Sequence, residues 1–96
     1  MSMENKIELV DEICAGMAIL DYFDDAIIGY DVDTKKIIYD YNLMIKVLNE
    51  NHKLQIDAAV DYLSYNVLGL KIKNDDGEDI SPIIISKFED ELNGQL

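Results

Sequence analysis

The sequence of 96 residues contains no arginine and no tryptophan, and it has only one cysteine, one histidine and one proline. A single cysteine cannot form an internal disulfide, which is typical of proteins from a reducing compartment. A zinc site or a nucleophilic triad would need Cys14 or His52 beside convergent partners, and the sequence around neither residue indicates them. Because nucleic-acid-binding domains present stripes of lysine and arginine to the phosphates, eight lysines without arginine do not favour direct nucleic-acid binding.

Long hydrophobic segments are missing as well. The apolar runs at residues 26–30 and 82–85 have the length of a strand, and every apolar run falls far below the ~20 residues that span a bilayer. The first residues lack the basic region and the apolar stretch of a secretory signal peptide. We therefore expect a cytoplasmic protein without membrane contact.

Acidic residues dominate what is present. The 20 aspartates and glutamates outnumber the 8 lysines and give a formal net charge of −12. Residues 1–34 contain nine acids and one lysine, residues 35–56 two acids and four lysines, and residues 57–96 nine acids and three lysines. Since 49% of the residues are hydrophobic, we expect a folded single domain over residues 1–96 and not a disordered chain. A compact domain with this charge attracts basic protein surfaces.

The first half of the sequence predicts a helix followed by a hairpin. Apolar residues recur at helical intervals over residues 7–20, which predicts a helix within an N-terminal helical segment 1–22. Gly16 inside this segment weakens a helix by about 1 kcal/mol relative to alanine. Residues 26–30 and 36–39 are rich in β-branched and aromatic side chains and flank an Asp-x-Asp-Thr turn, which predicts a β-hairpin.

The second half predicts two capped helices and a third strand. Asp40 is expected to cap a helix that ends near residue 51, and Asp57 is expected to cap the next one. The remaining segments are predicted as an acidic loop over residues 73–81, a strand over 82–85, a short helix over 87–93 and a frayed end over 94–96. The order α-β-β-α-α-β-α predicts an α+β fold, with a small three-stranded, mainly antiparallel sheet and helices packed on one face.

Two acidic motifs are candidates for metal binding or acid–base chemistry, and neither pattern supports that role. Residues 74–79 resemble a calcium loop, but with Gly77 in the sixth place Ile72 and Ile83 occupy the first and last ligand positions. The adjacent pair Asp24 and Asp25 could perform general acid–base chemistry, yet neighbouring acids at a helix–strand junction more often serve as caps and solubilising charge. We therefore assign no catalytic, metal-binding or cofactor-binding residue and expect no enzyme activity and no cofactor.

The acids and tyrosines fit a protein-binding surface better. Tyrosine is favoured at interfaces because it adds contact area and a hydrogen-bonding tip at low entropy cost, although tyrosines also cap small cores. The predicted partner-binding residues are Asp21, Tyr22, Asp24, Asp25, Tyr30, Asp31, Asp33, Asp75, Asp76, Glu78 and Asp79. This prediction requires the two acidic zones to meet on one face of the molecule.

Several short motifs fall in an order that resembles a known group of proteins. They are Asp24-Asp25-Ala26-Ile27-Ile28-Gly29, Ile38-Tyr39-Asp40-Tyr41, Ile45 and Leu48, Asp57-Ala58-Ala59, Tyr62, Tyr65-Asn66, Gly69 and Pro82-Ile83. Over about residues 24–85 the chain resembles a family of small, uncharacterised acidic proteins encoded by bacteriophages and prophages. The acidic loop, the tail after Ser86 and the N-terminal helix depart from that family. The resemblance implies an accessory protein of phage type and assigns no activity to any residue.

Charge and resemblance together lead to one functional hypothesis and two alternatives. The main hypothesis is a phage-type accessory protein that binds and inhibits a basic host protein, such as a nucleic-acid-handling or defence factor, by partial DNA mimicry. One alternative is a self-associating structural or regulatory domain, a homodimer joined through the apolar helix at residues 7–20 or the strand at residues 83–85. A small enzyme built on scattered carboxylates is the other.

Overall fold

A hairpin and the strand that joins it form the sheet of this protein. In the computed structural model, which describes residues 3–89, β1 (Ile27–Tyr30) pairs antiparallel with β2 (Ile37–Asp40). β3 (Ile83–Ile85) pairs with the other side of β2 in a parallel register, so the strand order is β1-β2-β3. The predicted α+β fold with a three-stranded sheet is confirmed, but the sheet is mixed, with one antiparallel and one parallel pair, instead of mainly antiparallel. Two helices connect β2 to β3, and such a long crossover lets the next strand run parallel to its neighbour.

The helix after the hairpin begins where the sequence predicted it to begin. α2 (Tyr41–Asn51) is capped by Asp40, whose Oδ1 accepts the backbone N–H of Asn42 at 2.9 Å and of Leu43 at 3.2 Å. The carboxylate of Asp40 is almost wholly buried and also lies 3.4 Å from Nζ of Lys87. Asp40 therefore fixes the start of α2 and joins it to the segment that follows β3.

The first helix is shorter than predicted, and the prediction of helix up to residues 20–22 is wrong. α1 (Met3–Ile13) ends before Gly16, whose φ of +85° is a left-handed conformation that other residues adopt at a cost. Beyond α1, the N–H of Ala18 donates to the carbonyl of Ile80 at 3.0 Å. This segment therefore bonds with the chain before β3 instead of continuing a helix.

The start of the third helix also differs from the prediction. α3 (Ile56–Asn66) has Gln55 at its N-cap, without a side-chain cap hydrogen bond, so the prediction that Asp57 caps this helix is wrong. Asp57 lies in the first helical turn, where its Oδ1 accepts the N–H of Ala58 at 2.9 Å. The helix predicted over residues 87–93 and the frayed end over 94–96 lie largely outside the described residues.

The core forms where the hairpin, α1, α2 and α3 meet. Its fully or almost fully buried apolar members include Val10, Cys14, Phe23, Ala26, Ile27, Ile37, Tyr39, Met44, Leu48, Ala59 and Leu63. The hydroxyl of buried Tyr39 accepts the N–H of Leu20 at 2.8 Å, and burial raises the pKa of this hydroxyl. Burial also raises the pKa of the Cys14 thiol, as expected for a core cysteine.

No helix among residues 3–89 combines the length and the apolar character that crossing a bilayer requires.

Candidate functional site

A cleft of about 460 Å³ lies between two acidic loops that are far apart in the sequence. One wall comes from the hairpin loop, residues 31–36, and the other from the turn at residues 73–79. The lining residues are Met17, Asp33, Thr34, Lys36, Asn74, Glu78, Asp79 and Ile80, and we call this site the acidic cleft. It joins an acid from the first acidic zone of the sequence to acids from the second.

The hairpin loop is shaped by Asp31, which directs its carboxylate towards its own backbone. Oδ1 of Asp31 accepts the N–H of Asp33 at 2.9 Å and of Thr34 at 2.8 Å. These bonds, led by the one from Thr34, lower the pKa of Asp31. Lys35 then adopts a φ of +65°, and its N–H donates to the carbonyl of Asp31 at 2.7 Å. Asp31 therefore positions the loop, while the side chain of Asp33 is exposed.

The opposite turn is organised by an amide instead of a carboxylate. Oδ1 of Asn74 accepts the N–H of Asp76 at 3.0 Å and of Glu78 at 2.9 Å. Gly77 has a φ of +82° and donates its N–H to the carbonyl of Asn74 at 3.0 Å. Asn74 therefore accepts the hydrogen bonds that shape the turn, and the acids Asp75, Asp76 and Glu78 are exposed.

An ion pair connects the two walls of the acidic cleft. Nζ of Lys36 lies 3.2 Å from Oδ2 of Asp79, and the N–H of Ser81 donates to Oδ1 of Asp79 at 2.9 Å. Hydrogen bonding from Ser81, followed by the Lys36 ammonium, holds the pKa of Asp79 well below its usual range. The charge on Asp79 is therefore partly compensated by Lys36, although its side chain is 43% exposed, and Asp33 and Glu78 are further exposed acids that line the cleft.

Four of the predicted site residues lie at the opposite end of β1. Asp21, Tyr22, Asp24 and Asp25 precede this strand, whereas the hairpin loop follows it. Asp25 lines a different cleft of about 280 Å³, together with residues of α2, and the two clefts share no lining residue. The structure therefore groups Asp33, Glu78 and Asp79 in one cleft and places residues 21–25 apart from them.

The two predicted tyrosines have different surroundings. Tyr22 is 77% exposed, has a φ of +74° and packs edge-on against the ring of His52, with 5.5 Å between the ring centroids. A bulky residue in this left-handed conformation is strained by roughly 1 kcal/mol or more. Tyr30 is 38% exposed and has Nζ of Lys35 at 5.5 Å from its ring centroid. Tyr22 thus belongs to the 21–25 segment and Tyr30 to the hairpin.

Sequence analysis missed Lys36 and Asn74 as members of the site. The sequence of the hairpin loop does not identify Lys36, because its partner Asp79 is more than forty residues away. Asn74 had a detectable signal, because asparagine followed by aspartates and a glycine is typical of a side-chain-stabilised turn. Among the described residues, no group of three or more histidines, cysteines, aspartates or glutamates is arranged to hold a metal ion.

No protein-family model, no curated protein and no solved structure matches the chain. The resemblance to small phage and prophage proteins therefore rests on short motifs alone and stays a prediction.

Proposed function

We propose that this protein binds a basic surface of another protein through the acidic cleft. The observation that supports this most is the convergence of the hairpin loop and the 73–79 turn, which brings exposed Asp33 and Glu78 to one cleft. Their own loops are held by Asp31 and Asn74, so the exposed acids need no large rearrangement before they meet a partner. Preorganised charge of one sign favours association with a surface of the opposite sign.

The class of partner in this proposal comes from the sequence. The predicted phage-type origin makes the partner a host protein, and the net charge of −12 makes it a basic one, such as a nucleic-acid-handling or defence factor in the host cytosol. Such proteins have grooves that accept a phosphate backbone. Carboxylates on the rims of the acidic cleft would occupy that groove in place of phosphates, which is partial DNA mimicry and inhibits the host protein without chemistry.

Capture from host lysate at increasing salt tests this proposal. We compare the natural protein with the double variant Asp33→Asn and Glu78→Gln, and with the control Asp57→Asn and Asp61→Asn, which removes the same charge from exposed positions on α3. The proposal requires the cleft variant to lose a captured host protein that the control retains. It also requires capture to weaken between about 50 and 300 mM salt, because screening shortens the range of the field. Equal capture by both variants would contradict it.

Self-association is the second candidate function, and the position of β3 favours it. In the sheet of the described residues β3 is an edge strand, and its last residue, Ile85, is 38% exposed. An exposed apolar edge can pair with the same strand of a second copy. Light scattering at micromolar concentration measures the oligomeric state, and a strict monomer would contradict self-association.

A further inference from the structure

The acidic cleft contains a cation that belongs to the chain itself. Among the described residues that line the cleft, Lys36 is the one with a positive charge, and its Nζ lies 3.2 Å from Oδ2 of Asp79. The side chain of Lys36 is 18% exposed, whereas that of Asp79 is 43% exposed. The lysine is thus the more buried partner of the ion pair, and part of the Asp79 side chain is open to solvent.

The acids of the cleft differ in what they already bind. Oδ1 of Asp79 accepts the N–H of Ser81 at 2.9 Å, and Oδ2 faces the Lys36 ammonium, so each of its oxygens has a donor. Within residues 3–89, neither Asp33 nor Glu78 forms an ion pair with a lysine. A basic side chain of another protein would therefore meet Asp33 and Glu78 without a competitor, but it would compete with Lys36 for Asp79.

The backbone of Lys36 is held by the hairpin and not by this ion pair. Its carbonyl accepts the N–H of Asp31 at 2.9 Å, and its N–H donates to Oγ1 of Thr34 at 3.3 Å. The next residue, Ile37, is fully buried at the start of β2. A neutral side chain of similar length at position 36 should therefore leave the hairpin loop in place and remove only the ammonium from the cleft.

We propose that Lys36 is an internal competitor that limits how strongly the acidic cleft binds a basic partner. Its ammonium is paired with Asp79 in the free protein, so Asp33 and Glu78 are the acids that a partner meets first. A partner that reaches Asp79 exchanges one ion pair for another, and this carboxylate adds little to the affinity while Lys36 is present. The inference rests on the proposed function of the cleft and adds an autoinhibitory contact to it.

The probe is a fluorescent hexa-arginine peptide, whose binding is followed by anisotropy at about 0.1 M salt, where a Debye length of about 10 Å keeps charge effects local. Lys36→Met should bind the peptide about tenfold more tightly than the natural protein, because a like charge leaves the cleft and Asp79 becomes free to bind. Lys46→Met is the matched control, since it removes a lysine from the exposed ion pair with Glu50 on α2.

The control should bind within about twofold of the natural protein. An equal gain in both variants would overturn the proposal, because net charge alone would then explain the change. Weaker binding by Lys36→Met would also overturn it, by showing that the ion pair holds the walls of the cleft in the binding geometry. Lys36→Gln repeats the test with a second neutral side chain, and circular dichroism with urea unfolding establishes that each variant is folded.

A double-mutant cycle shows whether Lys36 acts through Asp79. Asp79→Asn should reduce the affinity for the peptide about fivefold more in the Lys36→Met background than in the natural protein, because the carboxylate binds the peptide directly only when Lys36 is absent. Equal losses in the two backgrounds would overturn the proposal, since the lysine would then repel the peptide without competing for Asp79.

The Asp33→Asn and Glu78→Gln variant separates this inference from the function on which it rests. If this variant binds the peptide as tightly as the natural protein does, the cleft is not the binding site and both proposals fail. If it binds more weakly but Lys36→Met gains nothing over Lys46→Met, the proposed function stands and only the competition by Lys36 is contradicted.

Discussion

At the scale of single residues, polar side chains hold together segments that are far apart in the chain. The Tyr39 hydroxyl bonds the backbone of Leu20, and the Asp40 carboxylate contacts Lys87. The hydroxyl of Ser81 accepts the N–H of Ile72 at 2.8 Å, which joins the two sides of the acidic turn. Each of these side chains is buried, where a lost partner costs more than it would at the surface. Of these contacts, the one made by Ser81 adjoins the acidic cleft, whose lining includes Asp79 and Ile80.

The Asp79 carboxylate makes folding stability depend on acid pH. Its pKa in the folded protein lies well below the ~3.9 of an unfolded chain, so its ionised form stabilises the fold above about pH 4. That contribution is lost as the pH falls below about 4 and the folded carboxylate takes up a proton. We expect Asp79→Asn to lower the midpoint of urea unfolding at pH 7, and we expect the difference from the natural protein to shrink towards pH 2.5.

Asp75→Asn is the control for this measurement, because Asp75 is an exposed acid in the same turn. Its unfolding midpoint should follow that of the natural protein at every pH. A difference for Asp79→Asn that stays constant down to about pH 2.5 would show that the geometry of the Ser81 contact matters and that the charge on Asp79 does not.

At the scale of the elements, local patterns predicted those parts of the fold whose signals are local. The hairpin and the start of α2 follow from alternating apolar residues, turn chemistry and one capping aspartate within residues 26–51. The end of α1 was not predictable in this way, because apolar residues continue at helical spacing beyond Ile13. What ends the helix is the backbone of Gly16 and the bond from Ala18 to Ile80, a residue distant in the sequence.

Replacing Gly16 distinguishes the predicted helix from the observed turn. In a helix interior, Gly16→Ala would stabilise the protein by about 1 kcal/mol. Since the φ of Gly16 is +85°, we expect the opposite, a loss of about 1 kcal/mol in the free energy of unfolding measured with urea. Gly16→Asn should cost less than Gly16→Ala, because asparagine tolerates the left-handed conformation better. A stabilising alanine would contradict the turn.

The two aspartates that sequence analysis proposed as helix caps should differ sharply in their effects. Asp40→Ala removes two hydrogen bonds to the first turn of α2 and the partner of Lys87, so we expect it to cost about 2 kcal/mol. Asp57→Ala removes an exposed acid from the first turn of α3, where the helix dipole and one local hydrogen bond from the N–H of Ala58 favour it, and should cost about 0.5 kcal/mol. Thermal and urea unfolding of both variants measure this contrast, and equal losses would contradict the assignment of Gln55 as the N-cap.

At the scale of the whole molecule, the sequence predicted the acids of the candidate site but did not predict which of them share a cleft. Asp33 and Glu78 share a cleft because β3 pairs parallel to β2 and because residue 80 bonds back to Ala18. Both contacts are non-local, and a count of charges along the chain holds no information about them. The same limit applies to residues 21–25, which precede β1 and so lie at the end of the strand remote from the hairpin loop.

The net charge of −12 should make salt act in opposite directions on folding and on partner binding. The Cα radius of gyration is 13.8 Å, whereas the Debye length is about 30 Å at 10 mM salt and about 10 Å at 0.1 M. Below 0.1 M, therefore, most acids repel one another across the molecule, and this repulsion destabilises the folded state. We expect the unfolding temperature to rise between about 10 and 200 mM KCl, and to rise less near pH 4, where the carboxylates begin to protonate.

Over the same range of salt the affinity for a basic partner should fall, because screening weakens the attraction between unlike charges. An unfolding temperature that falls with salt at pH 7 would mean that close pairs such as Lys36 and Asp79 outweigh the net repulsion, and the field expected to draw in a basic partner would then be too weak for the proposed function.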